Sequence, residues 1–187
     1  SEILSDRFSK CNVGIGPGLS GFSITMSGLL SSPQPWLCYA ATNILLSNKD
    51  SYPSFSRVVP TDTFAAHGTV AVIKAFGYKS ASILANNIES ARSLISVVET
   101  ELKNQSGDVY TQFMETTANN ATIRAALEGV EARPYRVLLI LLEGWSDAFV
   151  ATMALIKELG LDKKYVIVYG ESICSGSGSL VYTLSGG

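Results

Sequence analysis

The sequence predicts an α/β fold with mainly parallel strands, and three observations carry that expectation. From residue 80 onward, short apolar runs alternate with segments of helical spacing, which is the pattern of parallel strands joined by right-handed crossovers. The run Val137-Leu138-Leu139-Ile140-Leu141-Leu142 is apolar on both faces, as a central strand covered by helices must be. Near the start, a strand leads through the turn Gly14-Ile15-Gly16-Pro17-Gly18-Leu19-Ser20-Gly21 into a helix-like run, the same order once more.

Taken in order, the first strand is expected at 13–15, a helix at 22–30 closed by Ser31-Ser32-Pro33-Gln34-Pro35, and a second strand at 36–39. Residues 43–53 read as a loop with Asn48-Lys49-Asp50 as its turn, and 55–59 as a short extended piece closed by Pro60. Thr61-Asp62-Thr63 offers an N-cap for a helix to Phe76, with Phe64, Val70, Ile73 and Lys74 in register and Gly77 at its end. Strands then follow at 80–85, 109–113, 136–142 and 165–169, and helices at 90–103, 121–130 and 147–159. A chain of 187 residues has room for one sizeable domain or two small lobes.

Charge excludes some functions. A net charge of −2 without any Lys/Arg cluster argues against nucleic acid, whose phosphates need a basic face, and against a membrane surface. No apolar run approaches the roughly 20 residues that cross a bilayer. The N-terminal Ser1-Glu2-Ile3-Leu4-Ser5-Asp6-Arg7 lacks the order of a signal peptide and reads as the middle of a helix. Cys11, Cys38 and Cys174 match no metal or redox spacing, and Cys38, inside an apolar strand, reads as a small buried hydrophobe. The glycosylation sequons Asn104-Gln105-Ser106 and Asn120-Ala121-Thr122 are expected in surface loops and are compatible with a secreted chain.

In open parallel sheets, ligands sit beyond the carboxyl ends of the strands. The residues there are 16–20, 40–42, Asn86-Asn87, Glu143-Gly144-Trp145 and Glu171-Ser172. The glycines and Ser20 read as an anion cradle, with N–H groups and a hydroxyl pointing outward at a helix start. The lone His67 has no nucleophile or carboxylate at triad spacing, and no cluster of metal ligands exists, so neither catalysis nor a cofactor is expected. Glu143 and Glu171 could form a carboxylate pair, but a solvated loop acid or a ligand-contacting group fits them better. Residues 16–21 do satisfy GxGxxG between a strand and a helix. The acid that a ribose would need after the second strand is missing, which leaves a nucleotide-dependent enzyme as the runner-up to a binding module.

Three motifs give the chain a family likeness. They are Gly16-Pro17-Gly18-Leu19-Ser20; Tyr39-Ala40-Ala41-Thr42 with Phe55-Ser56-Arg57-Val58-Val59-Pro60-Thr61-Asp62; and Leu142-Glu143-Gly144-Trp145. In their order and spacing the chain resembles the type I periplasmic-binding-protein fold. It is most similar to the Venus-flytrap ligand-binding domains of class C receptors and receptor guanylate cyclases. The resemblance implies a three-layer α/β/α architecture in two lobes, with 1–60 an incomplete first lobe, 61–171 the second lobe, and 172–187 the start of a return crossover or tail. Further strand–helix units would complete the first lobe, and its open sheet edge implies dependence on a partner, as in a homo- or heterodimer.

The implied function is an extracellular sensor domain of a longer receptor chain, or a periplasmic-type solute-binding protein if bacterial. Carried over residue by residue, the anchor for a ligand carboxylate falls on Gly18, Ser20, Ala41 and Thr42. Ala40 stands where glutamate-binding members have a hydroxyl. The opposing lobe would use Glu143, Gly144, Trp145, Glu171 and Ser172. Asn86-Asn87-Ile88 lacks the aromatic that amino-acid-binding members place there, and Ser172 replaces their acid. An ammonium desolvated without a carboxylate would cost several kcal/mol, so an amino-acid-like ligand would need Glu171 as its partner; the other implied ligands are a different small molecule, a plain anion such as chloride, or a peptide bound outside the cleft.

Overall fold

The computed structural model describes residues 13–29, 35–115, 117–142 and 147–169. The chain divides into two compact units, Ser1–Phe64 and Ala65–Gly187. The division falls four residues after the boundary expected from sequence, inside the first turn of a helix.

The first unit holds a three-stranded parallel sheet in chain order, β1 (Gly14–Ile15), β2 (Trp36–Cys38) and β3 (Phe55–Arg57). Helix α1 (Ser20–Leu29) connects β1 toward β2, and a 3₁₀ turn, Ile44–Ser47, occupies the expected loop. Asn43 starts that turn, its side-chain oxygen accepting the Leu45 N–H at 2.8 Å. Register sorts the side chains. Gly14, Trp36 and Phe55 form one row, and Trp36 and Phe55 are buried with Cys38, Ala41 and Leu46. The next row, Ile15, Leu37 and Ser56, faces water, Ile15 being 72% exposed.

Glycine at position 14 is required by this packing, because a Cβ there would lie 2.5 Å from the Trp36 ring. Gly16 and Gly18 also face rings, of Trp36 and Tyr39, with Cβ positions 3.4 and 3.3 Å away. None of the three adopts positive φ. Only Gly14 is demanded by a ring lying against backbone; a Cβ at Gly16 would make an ordinary contact and one at Gly18 would meet the exposed Tyr39.

The described residues of the second unit form a layered structure. Its sheet is β5 (Val109–Met114), β4 (Ala81–Asn86), β6 (Val137–Leu141) and β7 (Val166–Tyr169) in that spatial order, all parallel. β4 and β6 are buried at every residue, as strands covered on both faces must be. One face packs Ala81, Ile83, Leu139 and Leu141 against Ala66, Val70 and Ile73 of α2 (Asp62–Ala75). The same face takes Leu94, Ile95, Val98 and Leu102 of α3 (Glu89–Lys103). The other face packs Leu84, Leu138 and Ile140 against Ile123, Leu127 and Val130 of α4 (Asn120–Glu131), and against Leu155 and Ile156 of α5 (Asp147–Glu158). Each such Leu, Ile or Val side chain contributes about 1.5–3 kcal/mol when fully buried, so α3 and α4 are held by their apolar stripes more than by intrinsic propensity.

The ends of the elements follow local chemistry. Asn119 caps α4, its Oδ1 accepting the Thr122 N–H at 3.0 Å and the Thr122 hydroxyl at 3.1 Å. Gly77 and Gly160, both at positive φ, stop α2 and α5. Two expectations are corrected. Phe64 is 70% exposed and not on the buried face of α2, and the second sequon begins at the first residue of α4, not in a loop.

Candidate functional site

In the first unit, the carboxyl ends of β1 and β2 are joined by hydrogen bonds. The Asn43 N–H donates to the Ser20 hydroxyl at 3.2 Å, tying the glycine-rich turn to the segment after β2. Ser20 is only 8% exposed, so its hydroxyl is turned inward, where the sequence reading pointed it outward. As an oxygen accepting one bond, it still has its own proton to give.

Cys38 fastens the same region. Its thiol donates to the Pro17 carbonyl at 2.9 Å, and its sulfur accepts the Ala41 N–H at 3.2 Å. The Ser23 hydroxyl reaches the same Pro17 carbonyl at 3.2 Å. Ala41, fully buried, therefore has its N–H engaged by sulfur.

Arg57 holds the other side of the segment. One guanidinium nitrogen donates to the Ala41 and Asn43 carbonyls at 3.2 and 2.8 Å, and the other reaches the Ser47 hydroxyl. Burial pushes the Arg57 guanidinium below its usual value, opposed by the charges of Asp62 and Cys38; an arginine remains a cation throughout the physiological range. The Asp62 N–H donates to the Thr42 carbonyl at 2.9 Å. With both neighbours fixed, Thr42 is half-buried. Among the described residues its N–H and hydroxyl have no partner, nor does the Gly18 N–H.

In the second unit, Asn86 ends β4 in the core, and Asn87 follows at the surface. The Asn87 N–H donates to the Met114 carbonyl at 2.9 Å, and its side-chain oxygen accepts from Arg92 Nε at 2.9 Å and from a second guanidinium nitrogen. The Arg92 guanidinium lies 5.1 Å from the centroid of the Phe113 ring. So β5, the neighbouring strand, supplies an aromatic ring beside Asn87, and a fixed cation covers it. The ion pairs of the described residues do not include Arg92.

Of the sequence-predicted residues, Gly18, Ser20, Ala41 and Thr42 come together at one sheet end. Glu143, Gly144, Trp145, Glu171 and Ser172 lie outside the described residues, as do Cys11 and Cys174. Sequence reasoning missed Asn43, Arg57 as a brace, Arg92 and Phe113. One signal was present: a cation in the first turn of α3 opposes the helix dipole, so something else must favour it. No cluster of His, Cys, Asp and Glu that could hold a metal occurs among the described residues.

The sequence profile described as "Receptor family ligand binding region" matches residues 6–184. The chain is 33% identical over 76 residues to taste receptor type 1 member 1 of Mus musculus, covering 40% of this chain and 9% of the mouse protein. To the taste receptor type 1 member 1 of Homo sapiens it is 29% identical over 92 residues, 49% of this chain and 11% of the human protein. The matched stretch thus spans about a tenth of these relatives' length.

Proposed function

This chain belongs to the receptor-family ligand-binding regions, with a type I periplasmic-binding-protein-like α/β fold, and from that premise we propose that it is an extracellular sensor domain. A small ligand bearing an anionic group binds the carboxyl end of the first sheet, accepting hydrogen bonds from the Gly18 N–H and from the Thr42 N–H and hydroxyl, while the inward Ser20 hydroxyl holds the turn through Asn43. The second unit then closes on it, using the strand ends at Asn87 and Arg92 with Glu143, Gly144, Trp145, Glu171 and Ser172. Closure is the signal, because only the closed form makes both sets of contacts, and no covalent step is involved.

The observation that carries this reading is the set of unpartnered donors at Thr42 and Gly18, held in place by the Ser20–Asn43 bond and the Arg57 brace. Buried or half-buried donors without protein partners are costly unless water or a ligand meets them. The names of the relatives, taste receptors, favour a receptor over a transport protein. Extracellular placement and pairing with a second receptor chain rest on the same likeness.

Titration calorimetry against amino acids, inorganic anions and nucleotides tests the proposal. Binding of an acidic or amino-acid-like compound that Thr42→Val weakens about tenfold, the worth of one good hydrogen bond, is the expected result. Tight nucleotide binding abolished by Gly18→Ala, with no response to the other compounds, would overturn it in favour of a nucleotide-dependent protein.

A further inference from the structure

Helix α3 ends in a turn whose sequence is poorly chosen for its shape. The Gly107 N–H donates to the Leu102 carbonyl at 2.9 Å and the Ser106 N–H to the Lys103 carbonyl at 3.0 Å, which is the paired closure of a Schellman motif. In that motif the residue before the last donor adopts the left-handed conformation, where glycine or asparagine is preferred. Here it is Ser106, at φ 59°, the one non-glycine residue with positive φ among the described residues. Its exposed side chain makes no hydrogen bond among them that would offset the strain. Gly107, by contrast, is explained by packing, since a Cβ there would lie 1.9 Å from the Lys79 carbonyl oxygen.

Ser106 is the hydroxyl residue of Asn104-Gln105-Ser106, and Asn104 is exposed at the end of the helix. We propose that Asn104 carries an N-linked glycan, and that recognition by the glycosylating enzyme is the reason a serine occupies a glycine's place. The second sequon differs. Thr122 gives both its N–H and its hydroxyl to the Asn119 cap of α4, so its presence is accounted for by the helix start alone.

The place suits a bulky sugar. Gly107 and Asp108 lie against the chain just before β4, where Asp108 N–H donates to the Ser80 hydroxyl at 2.9 Å. Asn104 is thus at the amino end of the sheet in the second unit, and Asn87, Arg92 and Phe113 are at its carboxyl end. A glycan on Asn104 leaves that end open.

The donor is a lipid-linked diphospho-oligosaccharide. The Asn104 side-chain nitrogen bonds to the anomeric carbon while the bond from that carbon to the diphosphate oxygen breaks. The lipid diphosphate leaves with the electron pair, and the amide nitrogen gives up one proton to a base of the enzyme. The site is used by a chain that enters the secretory pathway, which is the placement proposed above.

The test expresses the chain behind a supplied signal peptide in animal cells, so that its outcome is independent of ligand binding. Protein from the medium is treated with peptide N-glycosidase, which leaves aspartate at each released site, and mapped by mass spectrometry. Because no Lys or Arg stands between Asn104 and Arg124, one tryptic peptide carries both sequons, and mapping is done in the N120Q background. Occupied Asn104, lost in S106G and retained in S106T, is the expected result. S106G should also melt at a higher temperature than N104Q, since it relieves the left-handed serine. An unmodified Asn104 in secreted protein, or an S106G protein less stable than N104Q, would overturn the proposal.

Discussion

The Asn43 N–H donates to the Ser20 hydroxyl at 3.2 Å, across a sequence distance no local pattern links. Ser20→Ala should therefore cost about 0.5–1.5 kcal/mol, the net worth of the one hydrogen bond it removes. Urea unfolding of the variant against wild type measures this. A purely solvent-facing Ser20 would give a change near zero, since exposed substitutions usually stay within about 0.5 kcal/mol.

The glycines of the first turn should respond unequally. Gly14→Ala places a methyl 2.5 Å from the Trp36 ring, which is buried and cannot yield, so a loss of about 1–3 kcal/mol is expected. Gly18→Ala meets only Tyr39, at 3.3 Å, and that side chain is exposed and free to swing. Thermal melts should show Gly14→Ala strongly destabilised and Gly18→Ala close to wild type. Equal effects would mean the rings are not what fixes the turn.

Asp108 and Tyr135 give a pH signature. The Tyr135 hydroxyl donates to the Asp108 carboxylate; this bond is the main cause holding Asp108 below its ordinary 3.8 and raising Tyr135 above its ordinary 10.0. The stabilisation from Asp108 is present above pH 3.8 and is lost as pH falls through the lowered value. That from Tyr135 is present below pH 10.0 and is lost as pH rises through the raised value. The difference in melting temperature between wild type and Tyr135→Phe should be flat between these limits and shrink beyond both. Both groups are exposed, so the plateau should be small.

Arg92 tests the ligand's chemistry. If the ligand carries a second anionic group facing the second unit, Arg92→Gln should weaken its binding by more than tenfold, given that hydrogen bonds to charged groups are worth about 1.5–3 kcal/mol. Neutral analogues of the same ligand should lose little. Calorimetry on both compounds measures the contrast, and an equal loss for both would assign Arg92 a purely structural role with Phe113.

Much of the fold was legible. Strand β6 is apolar at every position, and α3 repeats Ala91, Leu94, Ile95, Val98 and Leu102 at helical spacing, so both could be read directly. Phe64 was misassigned because it stands nine residues before Ile73, two and a half turns away at 3.6 residues per turn, which puts it on the opposite side of α2. Ala66, seven residues before Ile73, holds the buried position.

The site was legible only as a place. The turns after β1 and β2 could be named from topology, but the partners that orient them could not. Asn43, Cys38 and Arg57 reach across the sheet end to Ser20, Pro17 and Ala41. Such bonds depend on register between strands, which local periodicity does not encode.

Strand β4 pairs with β5 on one edge and β6 on the other, and it is made before either. While the ribosome is still producing α3, a strand whose six residues are all buried in the folded protein has no lateral partner. During synthesis this is the segment most exposed to joining a neighbouring nascent chain or a chaperone. β5 and β6, which follow it in the chain, supply both of its lateral partners.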